Sequence, residues 1–371
     1  MNTKYQAFFQ EFSFSDKLDL KNRIVMAPMT NFSSNEDGTV SQEELDYYRA
    51  RSKGVSMVIT ACTYIEENGK GFLGEFAGHT DEMIDSLASL AAAIKEEGAK
   101  AVLQIFHGGR SCPTELVPNG ELVSASDVAQ NPLPAPRPLT EKEIQEMIKA
   151  FGLTTKRAIE AGFDGVEIHG ANGYLLQQFF SPHTNRREDK WGGSLENRLA
   201  FPLAVVREVK SVVKKYAQSP FIVGYRFSPE EPETPGITMT ETFGLIDALL
   251  NENLDYLHVS VQDFWSEPRR GAEPSKSRIE WIVERVAGRV PVIGVGSIYT
   301  PEDAVKAFET NISLLALGRE LIIDPEWVQK VQTGQEDQIV TEINKEKQKE
   351  LVIPTPLWNA INSSPGWFPG V

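Results

Sequence analysis

The sequence predicts an α/β fold in which eight parallel strands close into a single (β/α)8 TIM barrel. Eight short apolar runs recur along the chain, and patterns of helical period lie between most of them. The runs are apolar almost throughout rather than alternating, as expected of strands that are covered on both faces. The chain has 371 residues, of which 41% are hydrophobic, so it can bury a core of this size.

The predicted strands are spaced as strand–helix repeats require. They cover residues 23–28, 55–62, 100–107, 163–169, 220–227, 254–261, 291–298 and 312–319. Helices are predicted over 41–52, 81–98, 140–162 and 194–215. The alternative, an open doubly wound sheet, would carry a GxGxxG fingerprint after an early strand. Its nearest match, GVGSIY at 294–299, comes late and lacks the third glycine, so the barrel is favoured.

A typical barrel takes ~250 residues, and the remainder must lie in additions to it. We expect one domain over 1–371, with the barrel at about 23–335 and a C-terminal extension at 336–371. Residues 12–22 resemble a hairpin that plugs the barrel bottom. Residues 108–139 form a long, proline-rich loop after the third strand. The extension is too aromatic to be free, so it should pack on the barrel or on a second copy in a homo-oligomer.

Composition excludes several functions. The net charge of −15 argues against nucleic-acid binding, and the two cysteines cannot hold an iron–sulfur cluster or a disulfide framework. The histidines form no zinc pattern, so no metal is predicted. Because the chain has neither a secretory signal pattern nor an apolar run of membrane length, we expect a cytoplasmic protein without membrane contact.

Polar residues gather where the predicted strands end, which in such barrels is the catalytic mouth. The stretch GVEIHGANGY begins as a buried strand and then delivers three hydrogen-bonding side chains. The candidates from the first five strands are Thr30, Cys62, Gln104, His169, Asn172, Tyr174 and Arg226. Each of these side chains could instead form only local hydrogen bonds. Cys62 is better suited to fill a small space in the core than to act as a reactive thiol. A buried guanidinium at Arg226, however, requires an acceptor.

The turns after strands seven and eight, GVGS and LGRE, stand where barrels often bind phosphate through backbone N–H groups. They contain Gly296, Ser297, Gly318 and Arg319. These turns could be ordinary connections, but the arginine beside Gly318 favours phosphate. The residues alone therefore predict a phosphate-bearing cofactor or substrate.

With these residues placed, the chain resembles the Old Yellow Enzyme family of FMN-dependent ene-reductases over nearly its whole length. The most specific motif is DGVEIHGANGYLLQQFFSPHTNRREDKWGGSLENR at 164–198. NRIVMAPMT at 22–30, LQIFHGGR at 103–110, VGSI at 295–298 and ALGRELIIDPEW at 316–327 support it.

The resemblance implies non-covalent FMN across the barrel mouth. Ala27, Pro28 and Met29 would lie against its ring, and the residues that line or bond the ring would be Thr30, Cys62, Gln104 and Arg226. The phosphate would be held by Gly296, Ser297, Gly318 and Arg319. An arginine near N1 would favour the negative charge of reduced flavin.

The resemblance also implies the reaction. NADH or NADPH would reduce the flavin as a transient donor, and hydride from flavin N5 would then reduce the C=C bond of an α,β-unsaturated carbonyl compound. His169 and Asn172 would grip the carbonyl oxygen, and Tyr174 would donate a proton to the α-carbon.

Two rivals remain at this stage. A barrel lyase or aldolase would need a lysine at a strand end for a Schiff base, and the predicted strand ends carry none. A flavin-binding redox sensor or quinone reductase without physiological ene-reduction would share the cofactor but not the substrate. The sequence does not distinguish NADH from NADPH.

Overall fold

The computed structural model describes residues 2–14 and 18–371. In chain order its strands are β1 (Phe12–Phe14), β2 (Leu18–Leu20), β3 (Ile24–Met26), β4 (Met57–Tyr64), β5 (Phe76–Ala77), β6 (Lys100–Phe106), β7 (Val123–Ser124), β8 (Arg137–Pro138), β9 (Gly165–Gly170), β10 (Ile222–Phe227), β11 (Tyr256–Val259), β12 (Val292–Gly294) and β13 (Leu314–Leu317).

Eight of these strands, in the part of the chain that is described, form a closed parallel barrel. Their order is β3, β13, β12, β11, β10, β9, β6, β4, and β4 pairs back to β3. The closing register sets Val25 opposite Met57, and Leu315 lies opposite Ile24. Every residue of β4, β9 and β10 is buried, because helices cover the outer face and side chains fill the interior. The predicted barrel and its eight strand positions are confirmed.

Helices follow the strands and form the outer layer. They are α1 (Gln42–Ser52), α2 (Ile84–Lys95), α3 (Glu141–Glu160), α4 (Leu175–Phe180), α5 (Leu195–Tyr216), α6 (Met239–Leu250), α7 (Arg278–Val286), α8 (Pro301–Glu309), α9 (Arg319–Ile323), α10 (Trp327–Thr333) and α11 (Thr355–Asn362). The sequence sets several starts through capping boxes. Ser41 accepts from the backbone N–H of Glu44 at 3.2 Å, and Thr140 accepts from that of Glu143 at 3.3 Å. The four predicted helices are present within a few residues of their expected bounds.

The hairpin of β1 and β2 closes the N-terminal end of the barrel, as predicted. Phe14 pairs with Leu18 across the antiparallel ladder, and its ring lies 5.8 Å from that of Tyr256 on β11. Phe14 and Leu20 belong to the apolar cluster that fills the barrel interior. Residues 15–17 of the predicted hairpin lie outside the described residues.

The long loop after the third barrel strand is ordered by contacts with the segment that follows β9. Within it, β7 pairs with β8. Ser124 donates to Oε1 of Gln178 at 2.8 Å, and Arg187 donates to the carbonyls of Ala125 and Leu139 at 3.0 and 2.8 Å. These bonds hold the loop beside the barrel mouth.

The C-terminal extension packs on the barrel, which was one of its two predicted positions. Leu357 and Ile361 of α11 are fully buried. The buried guanidinium of Arg51 on α1 donates to the carbonyl of Leu351 at 2.7 Å. Further along, the carbonyl of Trp367 accepts from Nη1 of Arg319 at 3.0 Å, so the extension reaches the barrel mouth.

Candidate active site

One cavity at the C-terminal mouth collects the polar residues of five barrel strands and their loops. Its lining comprises Pro28, Thr30, Cys62, Phe72, Gln104, His169, Asn172, Tyr174 and Arg226. All except Phe72 were predicted from the sequence. Ala27 and Met29 flank Pro28 and lie close to Gly318, because a Cβ at that glycine would stand 3.2 Å from the Met29 sulfur.

A buried hydrogen-bond chain forms the floor of this cavity. Gln104 donates from Nε2 to Oε1 of Glu167 at 2.7 Å, and Glu167 Oε2 lies 2.8 Å from Nδ1 of His258. Nε2 of His258 lies 2.7 Å from Nη1 of Arg226, whose Nη2 donates to Ser260 at 3.1 Å. The register places Gln104 opposite Glu167 and Arg226 opposite His258, so neighbouring strands supply these two links. The bond between Glu167 and His258 joins β9 to β11 across β10.

The chain of bonds fixes the charge of each member. Because a guanidinium only donates, His258 Nε2 must accept, which leaves its Nδ1–H to donate to Glu167. Burial, followed by the charge of Arg226, lowers the pKa of His258 to about 4, so it is neutral at pH 7. Burial alone would raise the pKa of Glu167, but His258, Arg226 and Gln104 together hold it below its ordinary value. The floor is therefore a separated carboxylate–guanidinium pair bridged by a neutral imidazole.

His169 and Asn172 are arranged to donate hydrogen bonds into the cavity. Nδ1 of His169 accepts from the backbone N–H of Ala171 at 3.2 Å, so the proton of the neutral ring is on Nε2. Burial, and then the charge of Arg226, lowers the pKa of His169 to about 3. Oδ1 of Asn172 accepts from Ser260 at 2.9 Å and from Ser228 at 3.2 Å. Its Nδ2 group is thereby left to donate to a ligand.

Tyr174 stands beside this donor pair at the start of α4. Its ring packs edge-on against Phe106 at 4.6 Å and against His169 at 5.2 Å between centroids. Burial raises the pKa of the Tyr174 phenol well above its ordinary value, so the hydroxyl keeps its proton at neutral pH. A hydroxyl held in this way can donate a proton but cannot act as a base.

The predicted phosphate residues also come together. Nη2 of Arg319 donates to the hydroxyl of Ser297 at 2.5 Å, and Ser297 donates to the carbonyl of Gln262 at 2.7 Å. Ser297 has φ 50° and Gly296 has φ 144°, a turn in which a Cβ at Gly296 would stand 2.5 Å from the backbone N of Phe264. Only glycine fits there. The turn thus brings a guanidinium, a hydroxyl and close-packed backbone to one place.

The residues present fit FMN. Among the described residues, Nε of the buried Arg226 has no hydrogen-bond partner. Gln104 uses only its Nε2 in the floor, which leaves its carbonyl oxygen for a donor such as the flavin imide. Arg226 would supply positive charge at the pyrimidine edge of a flavin, and Arg319 with Ser297 suits a phosphate.

The sequence reasoning missed several residues of the site. Glu167 and His258 were treated as parts of buried strands, although a carboxylate within the apolar run GVEIH signals a buried partner. Phe72 comes from the loop after β4, and its position depends on tertiary packing. His107, which follows β6, does not line the cavity: its Nδ1 accepts from Gly109 at 3.0 Å and its Nε2 lies 3.0 Å from Asn68 Oδ1. It orders a loop instead.

The described residues lack a metal cluster and a membrane-spanning helix. No cluster of three or more histidine, cysteine or acidic side chains in residues 2–14 and 18–371 is arranged to hold a metal ion. None of the helices in these residues has the length and hydropathy of a membrane-spanning segment.

The fold and the site define a flavin-dependent oxidoreductase that uses FMN, with NADH or NADPH as its electron donor. Comparison with known proteins agrees: residues 7–338 match the NADH:flavin oxidoreductase / NADH oxidase family. The chain belongs to this family, and the resemblance to Old Yellow Enzyme is confirmed.

Individual relatives show the breadth of the likeness. The chain is 54% identical to a probable NADH-dependent flavin oxidoreductase of Bacillus subtilis, YqiG, over 100% of this chain and 99% of that one. It is 43% identical to an NADH:acrylate oxidoreductase of Vibrio harveyi over 95% of this chain, but spans only 35% of that longer protein. A structure of morphinone reductase in complex with tetrahydroNAD superposes with a TM-score of 0.77 at 27% identity, covering 89% of this chain and 91% of that one.

Proposed function

We propose that the protein reduces the C=C bond of α,β-unsaturated carbonyl compounds with electrons from NADH or NADPH. The observation that carries this proposal is the placement of two neutral hydrogen-bond donors, His169 Nε2–H and Asn172 Nδ2–H, in one cavity with the protonated phenol of Tyr174. The rest of the cavity suits the flavin, which supplies the hydride chemistry when bound.

His169 and Asn172 act on the carbonyl oxygen of the substrate. As the C=C bond accepts a hydride, negative charge builds on this oxygen, and donors already aimed at it stabilise the charge without reorganising. Such donors typically contribute about 3–4 kcal/mol each. Ser228 and Ser260 hold the Asn172 amide in its donating orientation through Oδ1.

Tyr174 completes the reaction by giving its proton to the α-carbon. Burial keeps the phenol protonated before the reaction, and its ring is fixed against Phe106 and His169. The negative charge that develops toward the α-carbon then draws the proton from the hydroxyl. Solvent restores the proton between turnovers. The remaining site residues hold the cofactor: Ala27, Pro28, Met29, Thr30, Cys62, Gln104 and Arg226 at the ring, and Gly296, Ser297, Gly318 and Arg319 at the phosphate.

The names of relatives support this substrate class. Acrylate and morphinone, which appear in the names of two relatives, are both compounds with a C=C bond conjugated to a carbonyl group. Because NAD(P)H and the unsaturated substrate would use the same cavity, we propose that they bind in turn.

The decisive experiment combines the visible spectrum of the purified protein with turnover. The expected protein is yellow, releases FMN on denaturation, and oxidises NADH or NADPH with cyclohexenone as acceptor. A colourless protein that takes up no added FMN would refute the proposal. A yellow protein that is reduced by NAD(P)H and reoxidised by quinones, but not by a panel of enones, would instead favour the quinone-reducing or sensor function.

A further inference from the structure

The segment 364–371 packs on the barrel and places a backbone carbonyl against the arginine that follows the eighth barrel strand. The carbonyl of Trp367 accepts from Nη1 of Arg319 at 3.0 Å. The backbone N–H of Trp367 donates to the carbonyl of Ser364 at 3.1 Å, so a turn leads into this contact. A part of the chain far from the barrel strands in sequence thus contributes to the surroundings of Arg319.

The residues after Trp367 anchor the segment. Phe368 is 1% exposed and belongs to the main apolar core. The carbonyl of Pro369 accepts from the backbone N–H of Ile343 at 2.9 Å. Gly370 has φ 88°, and a Cβ there would stand 2.9 Å from the carbonyl oxygen of Ile343, so the close approach requires glycine. These anchors fix the position of the Trp367 carbonyl.

Neutral groups hold the guanidinium of Arg319. Its hydrogen-bond partners in the described part of the chain are the Trp367 carbonyl and the Ser297 hydroxyl, and neither is a carboxylate. Its Cζ lies 5.7 Å from the centre of the Tyr299 ring, which is also neutral. A guanidinium has five N–H donors, so several remain for a ligand. The side chain is therefore held in place while no direct partner offsets its positive charge.

This arrangement favours the binding of an anion. An arginine side chain has many rotamers, and ordering such a side chain during binding costs free energy. The contact with Trp367 imposes that order before the ligand binds. A carboxylate in the place of the carbonyl would also order the side chain, but it would compete with the anion for the guanidinium.

We infer that the segment 364–371 is a positioning element for Arg319, and that the carbonyl of Trp367 thereby increases the affinity of the protein for the phosphate of FMN. The inference rests on the proposed placement of that phosphate at Ser297 and Arg319. It does not depend on which compound reoxidises the flavin.

The test compares FMN with riboflavin, which has the same ring and ribityl chain but no phosphate. Quenching of flavin fluorescence on binding to the flavin-free protein gives the Kd of each. Two variants displace the segment and leave Arg319 in the chain: Phe368→Ala removes a buried anchor, and Gly370→Ala places a Cβ against Ile343. In each variant the Kd for FMN should rise about three- to tenfold, because binding must then order the arginine side chain. The Kd for riboflavin should remain that of the wild type.

A matched control and a double variant show whether the segment acts through the arginine. Leu357→Ala, which also removes a fully buried side chain of the C-terminal extension, should leave both Kd values unchanged. Arg319→Ala should raise the Kd for FMN at least about tenfold, because hydrogen bonds to charged groups are strong. Adding Phe368→Ala to Arg319→Ala should cause no further rise, because both substitutions then act on one interaction.

Three outcomes would overturn the inference. An unchanged Kd for FMN in both Phe368→Ala and Gly370→Ala would mean that the segment does not influence the phosphate. An equal rise for riboflavin would mean that the segment supports the barrel as a whole. Additive effects of Phe368→Ala and Arg319→Ala would mean that the segment acts elsewhere. An unchanged Kd for FMN in Arg319→Ala would instead refute the proposed phosphate placement, and failure of enone reduction would appear only in turnover with cyclohexenone.

Discussion

Gln104 donates from Nε2 to Oε1 of Glu167 at 2.7 Å, and this bond decides which atoms of Gln104 face the cavity. The amide cannot flip without bringing its carbonyl oxygen against a carboxylate. Its oxygen is therefore left to accept a hydrogen bond from a ligand in the cavity. The same carboxylate reaches Arg226 through His258, so one buried residue both orients the amide and partly offsets the guanidinium charge.

The first prediction is that Glu167 and Arg226 shift the flavin reduction potential in opposite directions. Glu167→Gln removes negative charge and should raise the potential, because Arg226 then stabilises anionic reduced flavin more strongly. Arg226→Ala should lower the potential and weaken FMN retention. A change of about 30 mV corresponds to about 1.4 kcal/mol for a two-electron couple, and each shift should be at least of this order.

Spectroelectrochemical or dye-linked titration of each variant measures the shifts. Glu309→Gln, an exposed carboxylate at the C-terminal residue of α8, serves as the charge control and should leave the potential unchanged. Shifts of the same sign in Glu167→Gln and Arg226→Ala would mean that the two side chains act through packing rather than through charge.

The strand ends were predictable because each depends on local composition. The run GVEIHGANGY shows in itself where burial ends and polar chemistry begins, and His169, Asn172 and Tyr174 do line one cavity. The pairing of Gln104 with Glu167 was not predictable, because it depends on the register between β6 and β9, which is set by closure of the whole barrel.

Contacts between distant segments were beyond sequence reasoning for the same reason. The acidic stretch EEPETPG at 230–236 matches no motif, and its position depends on the bond from Arg278 to Glu230, 48 residues apart. The bond from Arg319 to the carbonyl of Trp367 joins residues 48 apart through a backbone atom that carries no sequence signal. Such contacts come from tertiary packing alone.

A second prediction concerns the donor pair. Phenols should bind the oxidised enzyme as phenolates held by His169 and Asn172, giving a long-wavelength charge-transfer band. In the His169→Ala/Asn172→Ala variant the Kd for the phenol should rise at least about tenfold, because hydrogen bonds to charged groups contribute about 1.5–3 kcal/mol. His183→Ala, outside the cavity lining, is the control. An unchanged band in the double variant would contradict the role of the pair.

The pH dependence of phenolate binding gives a third prediction. Burial and the charge of Arg226 lower the pKa of His169 to about 3, so the ring stays neutral from pH 5.5 to 8. The Kd calculated from the concentration of the phenolate form alone should therefore be constant over this pH range. Binding that weakens as pH rises through about 6.5 would show that His169 loses a proton there, as an exposed histidine does.

A fourth prediction concerns stability and Glu320. This residue is 1% exposed, and neither carboxylate oxygen has a partner among the described residues. Burial, followed by the charge of Asp324, raises its pKa from 4.5 to about 10. Its folded pKa lies above its unfolded pKa, so its contribution to stability is present below pH 4.5 and is lost as pH rises toward 10.

Glu320→Gln removes this titration. The free energy of unfolding of the variant, relative to the wild type, should therefore increase with pH by up to about 1.4 kcal/mol per pH unit. Urea denaturation at pH 5, 7 and 9 measures this difference. Glu309→Gln should show a constant difference from the wild type. A constant difference for Glu320→Gln as well would mean that Glu320 ionises normally in the folded protein.

The last prediction separates the two half-reactions through Tyr174. Reduction of the enzyme by NAD(P)H requires no proton from the phenol, whereas enone reduction requires a proton at the α-carbon. Positioned general acids contribute about 10²–10⁴-fold, so Tyr174→Phe should slow reoxidation by cyclohexenone within that range. Reduction by NAD(P)H should change little, because phenylalanine keeps the ring contacts with Phe106 and His169. Quinones, which need no protonation at carbon, should still reoxidise the variant.

Stopped-flow measurement of flavin absorbance follows each half-reaction of the Tyr174→Phe variant separately. Equal slowing of both would assign Tyr174 to the shape of the pocket, and full enone activity would mean that water or another group supplies the proton.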